Sequence, residues 1–262
     1  MDAFTLITGA SHGIGRALAF SCARRSRNLL LVALPDADLD NTAGELREQF
    51  PVRVETFGVD LTEPDAPARV ASWCRAEGFR VNMLINNAGV GTGGRFEHVD
   101  WSRYPTIMRL NNQAMVGMCY EFLPELKTHP RAHLLNLSSI EATLPLPYKA
   151  VYTGSKSFVY AFSLALREEL RPTGVRVTVA CPSSVVTNEE GLKRIEAHGR
   201  RARLIVKMPD EVAETCLQGL LADRATVVPG AINGTLFYLG RVLPNRVKLP
   251  LLERLFRVYR GH

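Results

Sequence analysis

Phe4-Thr5-Leu6-Ile7 followed at once by Thr8-Gly9-Ala10-Ser11-His12-Gly13-Ile14-Gly15 decides how this 262-residue chain folds. The first four residues are strand-like, and a helical pattern runs from Arg16 to Arg25. Strand, glycine turn and helix form the context in which a backbone can wrap a dinucleotide pyrophosphate. Glycines allow close approach, and a helix N-terminus offers unpaired N–H groups to an anion. The spacing is Gly-x-x-x-Gly-x-Gly rather than Gly-x-Gly-x-x-Gly, so a plain tight strand-to-helix turn stays open as a second reading.

Outward from this stretch, strand-like and helix-like segments alternate. Strands are expected near Ala3–Thr8, Asn28–Leu34, Arg53–Gly58, Val81–Asn86, His133–Ser138, Arg176–Cys181 and Thr226–Val228. Helices are expected near Gly13–Arg25, Leu39–Phe50, Pro64–Ala76, Ser102–Lys127, Tyr152–Leu170 and Asp210–Ala222. Continuous apolar runs such as Leu29-Leu30-Leu31-Val32-Ala33 suit parallel strands covered on both faces. The expectation is a doubly wound α/β fold of the Rossmann type, with about seven parallel strands and helices on both faces. No repeat or composition break divides the chain. Residues 1–262 read as one domain, with a variable segment at 188–208 and a helical extension over 230–262.

The composition, 46% apolar and 22% charged with net charge +6, is that of a globular protein, and its mild basicity is too diffuse for nucleic acid. Cys22, Cys74, Cys119, Cys181 and Cys216 are scattered and odd in number, which suits thiols in a reducing compartment. The six histidines show no ligand spacing, so no metal is expected. With no signal peptide and no apolar run of spanning length, the expected location is cytoplasmic.

Chemistry concentrates in Val151-Tyr152-Thr153-Gly154-Ser155-Lys156, with Ser138-Ser139 upstream. Four residues is about one helical turn, so Tyr152 and Lys156 share a face. An ammonium beside a phenol favours the phenolate, and a tyrosine tuned in this way can exchange protons.

These motifs, taken in order, resemble the short-chain dehydrogenase/reductase family in its compact branch. The glycine stretch resembles that family's cofactor loop. Asp60-Leu61 resembles the pair that meets the adenine, and Asn86-Asn87-Ala88-Gly89 the segment after the fourth strand. Asn111 matches the catalytic asparagine, and Ser139 lies thirteen residues before Tyr152, the family's spacing. Pro182, Val185 and Thr187 fall in the segment that meets the nicotinamide. The resemblance implies that NAD(H) or NADP(H) is held by Gly9, Ser11, His12, Gly13, Ile14, Gly15, Asp36, Asp60, Leu61, Asn87, Ala88, Gly89, Tyr152, Lys156, Pro182, Val185 and Thr187. It implies that Tyr152 exchanges the proton, Lys156 lowers its pKa and holds the ribose, Ser139 bonds the developing alkoxide, and Asn111 anchors a water leading to Lys156. Ser138 is the alternative inward hydroxyl; strand alternation puts only one of the pair on the substrate side, and the family's spacing selects Ser139.

Several positions depart from the family pattern. Ser183 stands where glycine is common. Leu34, followed by Pro35 and Asp36, stands where relatives choose their cofactor. Asp36 favours a ribose, while His12 and Arg16 attract a phosphate, so the choice between NAD and NADP stays open. Glu141 replaces a small residue and reads either as a solvated loop carboxylate or as facing the substrate. The basic 188–208 segment, with Leu204, Ile205, Val206 and Met208, reads as a lid. Later segments resemble bacterial-type reductases with keto-lipid or ketoacyl substrates. The run Leu249–Tyr259 reads as a basic amphipathic helix packed on protein or, less simply, on an anionic membrane. Apolar residues such as Met115, Met118, Phe158, Phe162 and Leu166, with the family's interfaces, imply a homodimer or homotetramer. The expected function is reduction of a small-molecule carbonyl or oxidation of an alcohol. The alternatives are a catalytically silent cofactor-binding protein and a nucleotide-sugar epimerase.

Overall fold

The computed structural model describes residues 3–183, 185 and 207–257. Its frame is a seven-stranded parallel sheet: β1 (Ala3–Thr8), β2 (Asn28–Ala33), β3 (Val54–Gly58), β4 (Arg80–Asn86), β5 (Ala132–Leu137), β6 (Val175–Ala180) and β7 (Thr226–Val227). The spatial order is β3-β2-β1-β4-β5-β6-β7. The chain winds outward from β1, then returns to place β4 on its other side. This reversal opens a crevice at the carboxyl ends of β1 and β4.

The apolar runs explain why the sheet is covered twice. Alternate side chains point to opposite faces. Leu6, Leu30 and Val32 join one core layer, while Ile7, Leu29 and Leu31 join the other. The second layer is closed by α1 (Gly13–Ala23) and α2 (Ala37–Gln49). The first is closed by α3 (Ala66–Ala76), α5 (Met115–Leu126) and α6 (Ala150–Glu169), with α4 (Arg103–Met108) leading into α5. Helix α7 (Pro209–Leu221) packs on α1 and completes the second layer.

Three expectations change. The helix expected over Ser102–Lys127 is not regular: a wider π-helical turn, Arg109–Ala114, separates α4 from α5 and carries Asn111. Such turns cluster at functional sites. Met115 and Met118 are buried core residues, so the apolar surface of this region comes from Trp101, Met108, Tyr120 and Phe158. Beyond β7 the expected helical extension over 230–262 divides into two helices, α8 (Ala231–Val242) and α9 (Asn245–Phe256), the second starting four residues before the expected Leu249. Helix α9 packs on this chain through Leu252 and Lys248, whose Nζ donates to the Gly240 carbonyl at 2.7 Å. Among the described residues no helix is long and apolar enough to cross a membrane. Of the segment 188–208 expected to form a lid, only Lys207 and Met208 lie within the described residues; Leu204, Ile205 and Val206 lie outside them, as does Thr187.

Candidate active site

A cavity of about 820 Å³ occupies the crevice at the strand ends. It is lined by Gly9, Ser11, His12, Gly13, Ile14, Asp36, Asp60, Leu61, Asn87, Ala88, Gly89, Ser139, Tyr152, Lys156, Pro182 and Val185. Asn111 and Gly15 stand just behind this surface.

The glycine turn is built for close approach. Gly9 and Gly13 have φ of 63° and 59°, a region that L side chains avoid. A Cβ on Gly15 would lie 2.0 Å from the Gly9 carbonyl oxygen, so α1 rests directly on the turn. His12 caps α1 without a side-chain bond to its N–H groups, and its ring meets Ser11 Oγ at 3.0 Å. The first N–H groups of α1 therefore face the cavity with their dipole available to an anion. Behind the turn, Asn87 Nδ2 donates to the carbonyls of Thr8 and Gly9 at 2.9 and 3.0 Å. Thr8 Oγ1 accepts from the N–H groups of Asn87 and Ala88. Asn87 thus locks the loop after β4 to the loop after β1. This glycine cradle fits a dinucleotide phosphate.

The adenine end carries Asp60, whose Oδ1 accepts from Thr62 N at 2.8 Å, and Leu61, which is buried. Asp36 caps α2 through a bond from Leu39 N to Oδ1 at 3.1 Å, and Leu34 is 54% exposed on the cavity rim. Arg16 already has a partially exposed partner, which a phosphate would have to displace. It pairs with Glu45 at 2.5 Å and covers the Phe20 ring.

At the other end stand Ser139, Tyr152 and Lys156. Helix α6 begins at Ala150, so Tyr152 and Lys156 lie one turn apart on the cavity face. Lys156 is buried, its Nζ donates to the Leu137 carbonyl at 3.0 Å, and it lies 5.9 Å from the Tyr152 ring centre. Burial pushes its pKa down to about 8, against smaller opposing effects of Cys181 and Glu141. Tyr152 moves opposite to the expected direction. Burial raises its pKa and Glu141 adds to this, while a hydrogen bond with Ser139 offsets part of it. In this state Tyr152 is held as a phenol. The choice between the serines is also clear: Ser138 Oγ donates to the Lys156 carbonyl at 2.7 Å, leaving Ser139 as the hydroxyl beside the phenol.

Asn111 is a brace. Its Oδ1 accepts from Val90 N at 2.9 Å, and its Nδ2 donates to Val90 O at 2.9 Å and Ser155 Oγ at 3.0 Å. Ser155 Oγ in turn donates to the Tyr152 carbonyl at 2.7 Å. Gly89 packs tightly here, since a Cβ would stand 3.1 Å from Asn111 Oδ1 and 3.2 Å from Lys156 Nζ. Ser183, in the glycine-like position, is tied to the C-terminal extension: Asn233 Nδ2 of α8 donates to its Oγ at 2.8 Å. Glu141 is no solvated loop residue. It lies in the cavity wall, 13% exposed, and pairs with Lys149 at 3.0 Å. Sequence reasoning passed over Thr8, Ser155 and Lys149; Lys149, three residues before Tyr152, was detectable from helical spacing.

A family model for short chain dehydrogenases matches residues 3–196. The chain belongs to the short-chain dehydrogenase family. The "Probable oxidoreductase EphD" of Mycobacterium tuberculosis is 29% identical over 94% of this chain and 44% of its own length. A "Very-long-chain 3-oxoacyl-CoA reductase" of Coprinopsis cinerea is 33% identical over 67% of this chain and 52% of its own. This short-chain dehydrogenase therefore spans about half the length of these curated relatives. A solved short-chain dehydrogenase from Sphingobium yanoikuyae in complex with NADPH is 29% identical, with TM-score 0.78 over 92% of this chain and 96% of that one.

Proposed function

We propose that this short-chain dehydrogenase transfers hydride between NAD(H) or NADP(H) and a carbonyl or secondary alcohol. The observation that carries the reading is the placing of Ser139, Tyr152 and Lys156 at one end of a cavity whose other end is the glycine cradle of α1. When bound, the nicotinamide supplies the hydride chemistry. The N–H groups of α1, with Gly9, Gly13, Asp60 and Asn87 around them, would hold its nucleotide part, and Lys156 its nearer ribose.

The chain's own residues then handle the proton and the charge. Tyr152, kept protonated by burial and Glu141, donates its phenolic proton to the substrate oxygen. Ser139 bonds the same oxygen as negative charge develops. Lys156, whose pKa sits near 8, stabilises the resulting phenolate and can pass a proton onward. Asn111 contributes through position, since its amide bonds fix Val90 and, through Ser155, the first turn of α6.

An apolar keto substrate, including a ketoacyl chain on a carrier, fits the Val90, Leu110 and Val185 wall beside this site. The 3-oxoacyl-CoA reductase relative supports the same class. Exposed Trp101, Tyr120 and Phe158 favour a homodimer or homotetramer, and five buried free cysteines suit the cytoplasm. The test is a screen of ketones, ketoacyl thioesters and secondary alcohols with both cofactors, followed by absorbance of the reduced nicotinamide. Turnover with one keto class supports the reading. Tight cofactor binding with no turnover on any member favours a silent cofactor-binding protein.

A further inference from the structure

Tyr152 is flanked by two ammonium groups. Lys156 Nζ and Lys149 Nζ each lie 5.9 Å from its ring centre. Lys156 belongs to the motif already described; Lys149 does not. It caps α6, where its carbonyl accepts from Thr153 N at 2.9 Å, and its side chain reaches back into the cavity wall.

Glu141 meets it there. The two side chains are 16% and 13% exposed, and Lys149 Nζ lies 3.0 Å from Glu141 Oε1. Glu141 is fixed by its own backbone, whose N–H donates to Ser139 Oγ at 3.1 Å. Its other oxygen, Oε2, is buried with no hydrogen-bond partner among the described residues. A half-satisfied carboxylate costs stability, so its presence beside the reactive phenol calls for a reason. The C-terminal helix closes the arrangement. The Phe256 ring centre lies 5.9 Å from Lys149 Nζ, and Tyr148, next in sequence, donates its hydroxyl to Glu253 at 3.0 Å. Tyr148 has φ of 67°, a conformation kept only when its surroundings enforce it.

We propose that the Lys149–Glu141 pair is a charge-balanced positioning device for Tyr152, and that α9 holds it in place. The proposal rests on Tyr152 being the proton donor. Among the described residues, the other groups facing Tyr152 are Lys156 from α6, Ser139 from the loop after β5, and the uncharged backbone of Gly91, where a Cβ would touch the ring at 3.1 Å. Behind Lys149 stand Tyr148 and Glu253, with Arg257 paired to Glu253 at 2.7 Å. Glu141 opposes the phenolate, and Lys149, a cation 5.9 Å from the ring centre, is placed to favour it, so on this proposal removing either alone unbalances the site, in opposite senses.

The test is ultraviolet difference titration of tyrosinate in the full-length chain, each variant subtracted against the same variant carrying Tyr152→Phe. Lys149→Met should raise the Tyr152 midpoint by roughly one pH unit, because Glu141 is then opposed by Lys156 alone. Glu141→Gln should lower it by a similar amount. The double variant should return near wild type, and Lys149→Arg should behave as wild type. Phe256→Ala should move the midpoint as Lys149→Met does, by less. Turnover against pH should shift in the same senses. Single variants that both leave the midpoint in place, or move it the same way, overturn the pairing. An unmoved midpoint in Phe256→Ala overturns the role of α9. The titration needs no turnover, so a failure of the proposed activity shows separately, as absence of Tyr152-dependent catalysis.

Discussion

Gly15→Ala tests the cradle where the structure leaves least room. The added Cβ would lie 2.0 Å from the Gly9 carbonyl oxygen and 2.4 Å from Asn87 Nδ2. The nearer atom is backbone and cannot swing away. Since 3.0 Å is the closest approach real Cβ atoms make, α1 must retreat by roughly 1 Å from the turn. Overpacking of this kind costs about 1–3 kcal/mol. For a chain of this size that is a drop of roughly 3–10 °C in melting temperature. The same retreat pulls the α1 N–H groups from the phosphate position and strains the Asn87 bond to Gly9. Loss of one charge-assisted bond alone weakens cofactor binding about tenfold or more. Gly44→Ala is the matched control: nothing lies within 4 Å of its Cβ, and it sits inside α2. It should stabilise by up to about 1 kcal/mol. Scanning calorimetry and titration with NADPH and NADH read both effects. A Gly15→Ala protein with wild-type melting and wild-type cofactor affinity would refute the close-packed cradle.

Leu34→Arg should shift cofactor preference toward NADP by about tenfold or more, since Leu34 is exposed on the rim and Arg16 is taken by Glu45; the ratio of kcat/KM for the two cofactors checks this. His133 is buried, and burial, with Arg27 and Arg131, pushes its pKa down to about 4. Its folded pKa lies below the unfolded value of about 6.5, so the unfolded chain binds the proton first, and stability present above that value is lost as pH falls toward 4. Urea denaturation at neutral pH and near pH 4.5 should show His133→Leu escaping about 2 kcal/mol of that loss. Truncation after Pro250 removes Leu252, Glu253 and Phe256 and should lower the melting temperature while leaving cofactor binding intact. Unchanged stability with lost binding to anionic vesicles would instead mark α9 as a membrane-surface helix.

The sheet was legible because its strands are apolar on both faces; Leu29 to Ala33 admits few other readings. Local spacing was equally informative at Tyr152, Lys156 and Ser139, where helix and strand periods place side chains directly. What spacing could not show was partnership across the chain. Arg16 looked available for a phosphate, but its partner Glu45 lies 29 residues away on another helix. Asn111 was expected in a regular helix, and the π-helical turn that carries it leaves no mark in residue preference. Its bonds to Val90 and Ser155 depend on three elements meeting. Helix α8 falls within the helical extension expected over 230–262, but its bounds were not legible because Asn233, Gly234 and Gly240 weaken helix preference, and packing decides them: a Cβ on Gly240 would strike Leu144 at 2.5 Å. Lys149 and Glu141 stand eight residues apart in sequence, and only the 3₁₀ turn Ile140–Thr143 and the start of α6 bring them together.

The central claim is that Tyr152 is the proton donor. The most direct measurement is steady-state turnover of Tyr152→Phe on whichever carbonyl the wild-type enzyme reduces, alongside nicotinamide binding by fluorescence. Removing one hydroxyl from a half-buried ring leaves the packing of α6 intact, so cofactor affinity should stay within about twofold. Turnover should fall at least about a hundredfold, the scale of a lost general acid. Turnover within a few-fold of wild type, with the cofactor bound normally, would contradict the account.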